Sequence, residues 1–341
     1  MNWRRRNPPG TGIRRLTFED LDVVASDFND WVARSPDIDQ FCSSADWLLP
    51  AQHALTPEAE PFILATDDGY IALMAFDVPS LGRTLTPLEH AWGLACPLVG
   101  PDPRRLVEHL FYAVTELPIQ WDALWLSGLK EEGEGFYGVV QTFYPQFTVG
   151  VGPSTLRRSA SITEGPEAFL AERSSKFRAT LRRSVRKAQS EGLSYQGYST
   201  FTPREVDAVF ERIINVEGRS WKGQSGQGMD SPPSSTFYYA MLQRLAARGA
   251  LRVGFLSQGH QDVAYIFGGI FESTYRGLQF SFDDVYRPLS LGNVIQWHMI
   301  EQLCAEGIGQ YDLGTDMAYK QRWGVEDLKT NSLVVFKERR R

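Results

Sequence analysis

Three strand-like runs follow one another late in the chain, ALRVGFLSQ, DVAYIFGGIF and YRGLQFSFD, separated by turn residues. Behind them the segment YRPLSLGN opens into the helical pattern VIQWHMIEQL, and a further strand, IGQYDLG, comes after it. Short apolar or alternating runs bounded by turns read as strands, and apolar residues recurring every three to four positions read as a helix. Ahead of this block lie a strand TLRRSASI, a basic helix, a strand LSYQGYS and helices near 203–219 and 234–248. A short helix near 316–322 and a strand NSLVVF close the chain. This order predicts a mixed sheet flanked by helices, an α/β (α+β mixed sheet) class of fold.

The first half reads as a separate unit of the same kind. A helix is expected around 18–33, strands in PFILATDDGYIALMAFDV turned by Asp67, Asp68 and Gly69, a helix at 103–117 and a strand at ALWLSGL. Pro and Gly then concentrate in YPQFTVGVGPST, which places a boundary near 150–156. The expected division is a disordered tail over 1–12, one domain over 13–153 and a second over 154–341. With 341 residues, 43% of them hydrophobic and 12% aromatic, the chain is long and apolar enough for two cores.

Charge and composition exclude several classes. A net charge of −6 argues against a general nucleic-acid coat, whose affinity needs a basic surface, so an anion site must be local. Cys42, Cys96 and Cys304 are odd in number and far apart, which suggests neither disulfides nor zinc and fits a reducing cytoplasm. The start MNWRRRNPPGTG has no apolar segment behind its arginines, unlike a secretory signal, and no run approaches the ~20 apolar residues of a membrane span. The five His show no HExxH spacing, and neither GxSxG nor GxxxxGK[ST] occurs. No metal is expected.

Against the acidic background stands SSKFRATLRRSVRKAQSEG, residues 174–192. On a helical wheel Phe177, Leu181, Val185 and Ala188 fall on one stripe. Arg173, Lys176, Arg178, Arg182, Arg183, Arg186 and Lys187 cover the rest. Like charges at i,i+4 repel by a few tenths of a kcal/mol each, so an anion facing them would offset that cost; a solvated face is the alternative. A second anion site is suggested by Ser290, Gly292 and Asn293 ahead of a helix, because the first N–H groups of a helix lack partners and its dipole is positive there.

The RxxSxG turn at Arg287, Ser290 and Gly292, between three strands and a helix–strand pair, resembles the (Q/R)xxGx(G/A) turn of the Gcn5-related N-acetyltransferases (GNAT), with Ser290 in place of the first Gly. A closer resemblance covers residues from about 155 to 336. FRATLRRSVRKAQ, EGRSWKGQSGQG (217–228), the turn with its helix and YDLGTDMAYKQRWG (311–324) are similar to the CelD/BioF2-like subfamily related to the FemAB peptidyltransferases. It implies tandem GNAT-like acyl-CoA N-acyltransferase domains in a FemAB-like architecture, the first of them degenerate. It also implies direct transfer of an acyl group, acetyl in the first place, from acyl-CoA to an amine of a small-molecule, nucleotide-linked, sugar-linked or amino-acid acceptor. An aminoacyl-tRNA-dependent Fem-type transfer, with tRNA as partner, and a catalytically silent binding module stand as alternatives.

Such chemistry needs phosphate neutralisation, proton removal and oxyanion stabilisation. For the phosphates of acyl-CoA the expected groups are the backbone of Ser290, Leu291, Gly292, Asn293 and Val294, with Arg287 beside it. As base, Asp283 and Asp284 form a carboxylate pair whose mutual repulsion would raise one pKa, unless they simply form a turn; Glu217 in EGRSWKG is the other candidate. Lys320 and Arg322 match the position where the resemblance implies a cation facing substrate or developing charge. Lys222 beside Trp221 offers a second cation with an aromatic wall. Tyr319 is a candidate proton donor to a leaving thiolate, as is Tyr311. Arg182 and Arg186 are the expected substrate-facing cations of the basic helix. Trp221 and Trp323 are equally explained by packing.

Overall fold

Helix starts are visible in the chain as cap residues. The computed structural model describes residues 12–337, and in it Thr17 and Thr202 each close a reciprocal capping box, with Asp20 and Glu205 respectively. Asp102 caps the helix begun by Pro103, and Ser174 accepts a hydrogen bond from the Phe177 N–H at the head of the basic helix.

Contacts divide the chain into two units, one holding residues up to Leu156 and again from Leu328, the other Arg157–Asp327. The first runs β1 (Arg14–Leu16), α1 (Phe18–Val23), α2 (Ala25–Arg34), α3 (Gln40–Ser43), α4 (Ala45–Leu55), β2 (Glu60–Thr66), β3 (Gly69–Val78), β4 (Gly82–Pro87), β5 (Leu98–Val99), α5 (Pro103–Glu116), β6 (Ala123–Lys130), α6 (Glu134–Phe143) and the start of β7 (Thr148–Ser161). The second continues from the end of β7 through α7 (Pro166–Ala171), α8 (Ser175–Ser190), β8 (Leu193–Tyr198), α9 (Pro203–Glu217), α10 (Trp221–Gln224), α11 (Ser234–Ala247), β9 (Leu251–Gln258), β10 (Gln261–Phe271), β11 (Thr274–Phe282), α12 (Leu291–Ala305) and β12 (Gln310–Thr315) to the first residues of β13 (Val325–Phe336).

In the first unit the strand order is β1-β2-β3-β4-β6-β13, with β5 on β3. Its core packs α5 (Leu106, Val107, Leu110) against Ile71, Leu73, Leu124 and Leu126 of the sheet. In the second the order is β7-β12-β11-β10-β9-β8, antiparallel except for the β11–β12 pair. A parallel pair needs a crossover, and α12 is that crossover. Its buried side, with Phe177, Leu181 and Ala188 of α8, packs on Val263, Tyr275, Tyr311 and Leu313. Trp323, 1% exposed, lies edge-on to Phe177 at 5.0 Å, which settles it as a packing group.

Several sequence expectations change. YPQFTVGVGPST, whose Pro and Gly suggested a boundary near 150–156, enters strand β7 at Thr148, and the two units divide within that strand after Leu156. The closing strand, assigned to the second domain, pairs through Leu333–Phe336 with β6 of the first unit, so the second unit ends at Asp327. The short helix near 316–322 contracts to a 3-10 turn, Lys320–Arg322. Helices α3, α4 and α6 had no expectation. In α4 every residue from Ala45 to Gln52 is buried and Pro50 sits inside, so no amphipathic period marks it. The tail expected over 1–12 lies, but for Gly12, outside the described residues.

Candidate functional site

β11 and β12 run parallel over three residues, Thr274–Arg276 beside Gln310–Asp312, and then part. Two bulges mark the parting. Against β10, Phe267 faces Gln279 and Gly268 faces Gly277, so Leu278 has no opposite number. Against β7, Asp312 faces Ser159 and Gly314 faces Arg158, which leaves Leu313 unopposed. A bulge bends its strand, and one on each side of the pair opens a cleft of about 40 Å³. Its lining includes Gly277–Phe280 from β11, Tyr311 and Leu313 from β12, Gln296 from α12, and Tyr319 with Lys320. Gly277 is required there: a Cβ would stand 2.9 Å from the Tyr311 ring.

Lys320 brings charge to this cleft. Its Nζ donates to the Thr315 carbonyl at 2.8 Å and lies 5.8 Å from the centre of the Tyr319 ring. Burial disfavours the ammonium, the nearby Arg276 guanidinium adds repulsion, and the pKa falls from 10.5 to about 8. Burial pushes Tyr319 the other way, to about 12, and raises Tyr311 further still. Near neutral pH Lys320 therefore exchanges a proton while both phenols hold theirs. Close by, Arg276 and Asp312, 4% and 2% exposed, form an ion pair at 2.9 Å, with Arg157 3.4 Å from the same carboxylate.

A second cavity, about 200 Å³, lies where two helices begin. Ser174, Lys176 and Thr180 line it from the start of α8, Asn293 from the first turn of α12, and Arg322 from the 3-10 turn that also carries Lys320. Ser290, at the head of α12, supplies no side-chain cap and holds φ 56°, ψ 43°. That left-handed conformation suits glycine, which the GNAT-like turn carries at this position, better than serine. Asn293 N–H donates to the Ser290 carbonyl at 3.0 Å, while no side chain caps Leu291 and Gly292, so this cavity offers the positive end of α12 and two cations to an anion.

Other expected residues lie elsewhere. Arg182 and Arg186 are exposed and do not line this cavity, with Arg182 3.3 Å from Glu167. The side chains of Leu291 and Val294 belong to the core. Gly292 allows the helix to approach the Phe280 ring, which a Cβ would meet at 2.9 Å; its closest neighbour is protein. Asp283 is buried, accepts from Arg219 Nε at 2.7 Å and caps the 3-10 helix at Asp284–Leu289, while Asp284 pairs with the exposed Arg287 at 2.7 Å. Each carboxylate of the expected pair is thus committed to its own arginine.

The EGRSWKG motif forms a buried network. Glu217, 1% exposed, accepts from the Tyr265 hydroxyl at 2.9 Å, the Ser220 hydroxyl at 3.3 Å and the Met229 N–H at 3.3 Å, with Lys222 Nζ at 3.9 Å. Lys222 donates to Gln279 Oε1 at 3.1 Å and the Phe280 carbonyl at 3.0 Å, and burial lowers its pKa. Glu217 and Lys222 thereby tie α9 and α10 to the strand that lines the cleft, while Trp221 stands half exposed. Sequence reasoning missed Gln296, Lys176 and the Arg276–Asp312 pair. Gln296 had one signal, a lone uncharged polar residue on the apolar side of VIQWHMI.

The acetyltransferase (GNAT) domain family model matches residues 175–321, which include the whole lining of the cleft and all of the second cavity's lining but Ser174 and Arg322. Nothing among curated proteins matches. Among solved structures, FemX superposes with a TM-score of 0.64 at 10% identity, covering 94% of this chain and 97% of that one. A conserved protein of unknown function from Bacteroides thetaiotaomicron VPI-5482 gives 0.62 at 13% identity, covering 95% and 99%. L-PGS from Bacillus licheniformis gives 0.52 at 10% identity, covering 92% of each chain. Residues 175–321 thus match a GNAT acetyltransferase domain. The fold of the chain resembles that of FemX. Among the described residues no helix is long and apolar enough to cross a membrane, and no group of His, Cys, Asp and Glu is placed to hold a metal ion.

Proposed function

We propose that the protein is an N-acyltransferase that takes an acyl group from acyl-CoA and transfers it directly to an amine. The observation that carries this reading is the pairing of a narrow cleft between parted strands with a cationic cavity at two helix starts, joined through the turn from Lys320 to Arg322. A CoA thioester has matching parts: anionic phosphates, an extended amide arm and a small reactive end. The phosphates meet Lys176, Arg322 and the N–H groups at the start of α12. The amide arm runs along the edge of β11 beyond Arg276, where β12 no longer pairs with it. At about 40 Å³ the cleft favours an acetyl-sized group over a long acyl chain.

Lys320 acts as base in this scheme. Its neutral amine takes a proton from the acceptor ammonium, and the freed nitrogen lone pair adds to the thioester carbonyl carbon. The C–S bond then breaks, and as the amide forms the nitrogen loses its second proton, which the departing sulfur takes up. Acceptors of this reading are primary amines on small, sugar-linked or nucleotide-linked molecules.

Calorimetry with CoA and acetyl-CoA tests the donor. Charge reversal of Lys176 and Arg322 together is expected to weaken CoA binding by about 10- to 100-fold, two charge-assisted contacts at roughly 1.5–3 kcal/mol each, discounted for exposure. Reversal of Arg182 and Arg186 is expected to change it less than about twofold. The exposed face formed by Arg182, Arg183 and Arg186 favours one other donor, aminoacyl-tRNA. Under that reading CoA fails to bind and the Arg182/Arg186 reversal abolishes a steeply salt-dependent affinity for charged tRNA. If cellular function survives Lys320→Met, the protein is instead a silent binding module.

A further inference from the structure

The buried side of α12 is apolar at Leu291, Val294, Ile295, Met299, Ile300 and Leu303, and Gln296 interrupts it. Its side chain is 2% exposed, and among the described residues Nε2 has no hydrogen-bond partner. An unpaired buried donor is costly, and leucine or methionine would fill the same space without that cost. Gln296 also lines the cleft between β11 and β12, together with Lys320. The orphan donor and the cleft are independent observations that coincide.

We infer that Gln296 is a catalytic residue whose Nε2 donates to the carbonyl oxygen of the acyl group in the cleft, and to the oxyanion formed during transfer. This rests on the acyl-CoA reading above. As the acceptor nitrogen adds to the carbonyl carbon, the C=O π pair moves onto oxygen; it returns when the C–S bond breaks, and sulfur leaves with the bonding pair. Charge therefore peaks on the oxygen that Nε2 faces. A donor already in place needs no reorganisation at that moment and gains strength as the oxygen becomes anionic. The strained economy of a polar group without a protein partner is then explained by a ligand that supplies the acceptor.

Gln296→Met, close in volume and without a donor, separates this role from a structural one. Wild type is expected to bind acetyl-CoA about fivefold more tightly than CoA, which lacks the carbonyl, the worth of one hydrogen bond. In Gln296→Met that preference disappears, CoA affinity stays the same, kcat falls about 100-fold with acceptor KM unchanged, and the melting temperature holds or rises. Gln296→Glu keeps size and polarity but offers an acceptor to the oxyanion, so it is expected to be at least as slow. An acetyl-CoA preference retained in Gln296→Met, or a kcat within about threefold of wild type in both variants, overturns the assignment while leaving the acyl-CoA reading intact. Failure of wild type to bind either CoA or acetyl-CoA overturns both.

Discussion

Lys320→Met is expected to lower kcat about 100- to 1,000-fold, with CoA affinity unchanged, because the variant loses the proton acceptor and keeps the cationic cavity. The size of the effect follows from the shifted proton equilibrium. At pH 7.5 a lysine with its ordinary pKa is about one part in a thousand neutral, whereas one held at about 8 is neutral in about one molecule in four. Burial, with Arg276 adding to it, thus raises the concentration of free base by more than two orders of magnitude. The direction of the pH dependence follows: kcat rises with pH as Lys320 deprotonates and levels off above about 8. Lys320→Arg stays protonated throughout, and is expected to restore neither the rate nor the inflection. A pH-rate profile that stays the same in Lys320→Met would assign the inflection to another group.

Glu217→Ala is expected to cost about 3–5 kcal/mol of stability, the scale for removing one member of a buried charged cluster. In a unit of this size that corresponds to a fall of roughly 6–20 °C in melting temperature, measured by thermal unfolding. Three donors, from Tyr265, Ser220 and Met229, lose their acceptor, and Lys222 loses its counter-charge. Glu217→Gln keeps the side-chain volume and one acceptor oxygen, so its stability loss is expected to be smaller and its kcat within a few-fold of wild type. A catalytic base would give the reverse result, with little change in melting temperature and a large loss of kcat in both variants. Because the network holds Lys222 against Gln279 and Phe280, part of any activity loss in Glu217→Ala reflects displacement of the cleft wall.

Where the sequence was readable, the physics was local. The basic helix showed its apolar stripe in its spacing, and it buries Phe177, Leu181 and Ala188 of that stripe together with Ser184. Thr202 with Glu205, and Ser174 ahead of Phe177, cap helix starts through hydrogen bonds within three residues. The three strands, the crossover helix and the following strand appear in the expected order because turn residues and periodicity decide each of them within a few positions. Helix α4 escaped notice because a segment buried all round carries no period.

The site was less legible. Asp283 and Glu217 looked like bases because they are acids within motifs, yet each is enclosed by donors from distant segments: Arg219 for the first, Tyr265 and Met229 for the second. Gln296 looked like an ordinary member of a helix, and its isolation from partners exists only once α12 packs over the parting strands.

By itself the sequence determined the element order, the amphipathic seating of the basic helix and the family to which residues 175–321 are similar, since these depend on neighbours along the chain. Tertiary structure decided which cations share a cavity, which carboxylates are committed to arginines and how far the Lys320 proton equilibrium moves. Those properties arise from charge, burial and hydrogen bonding between residues far apart in the chain, and the bulges at Leu278 and Leu313 part the strands around the cleft that Lys320 lines.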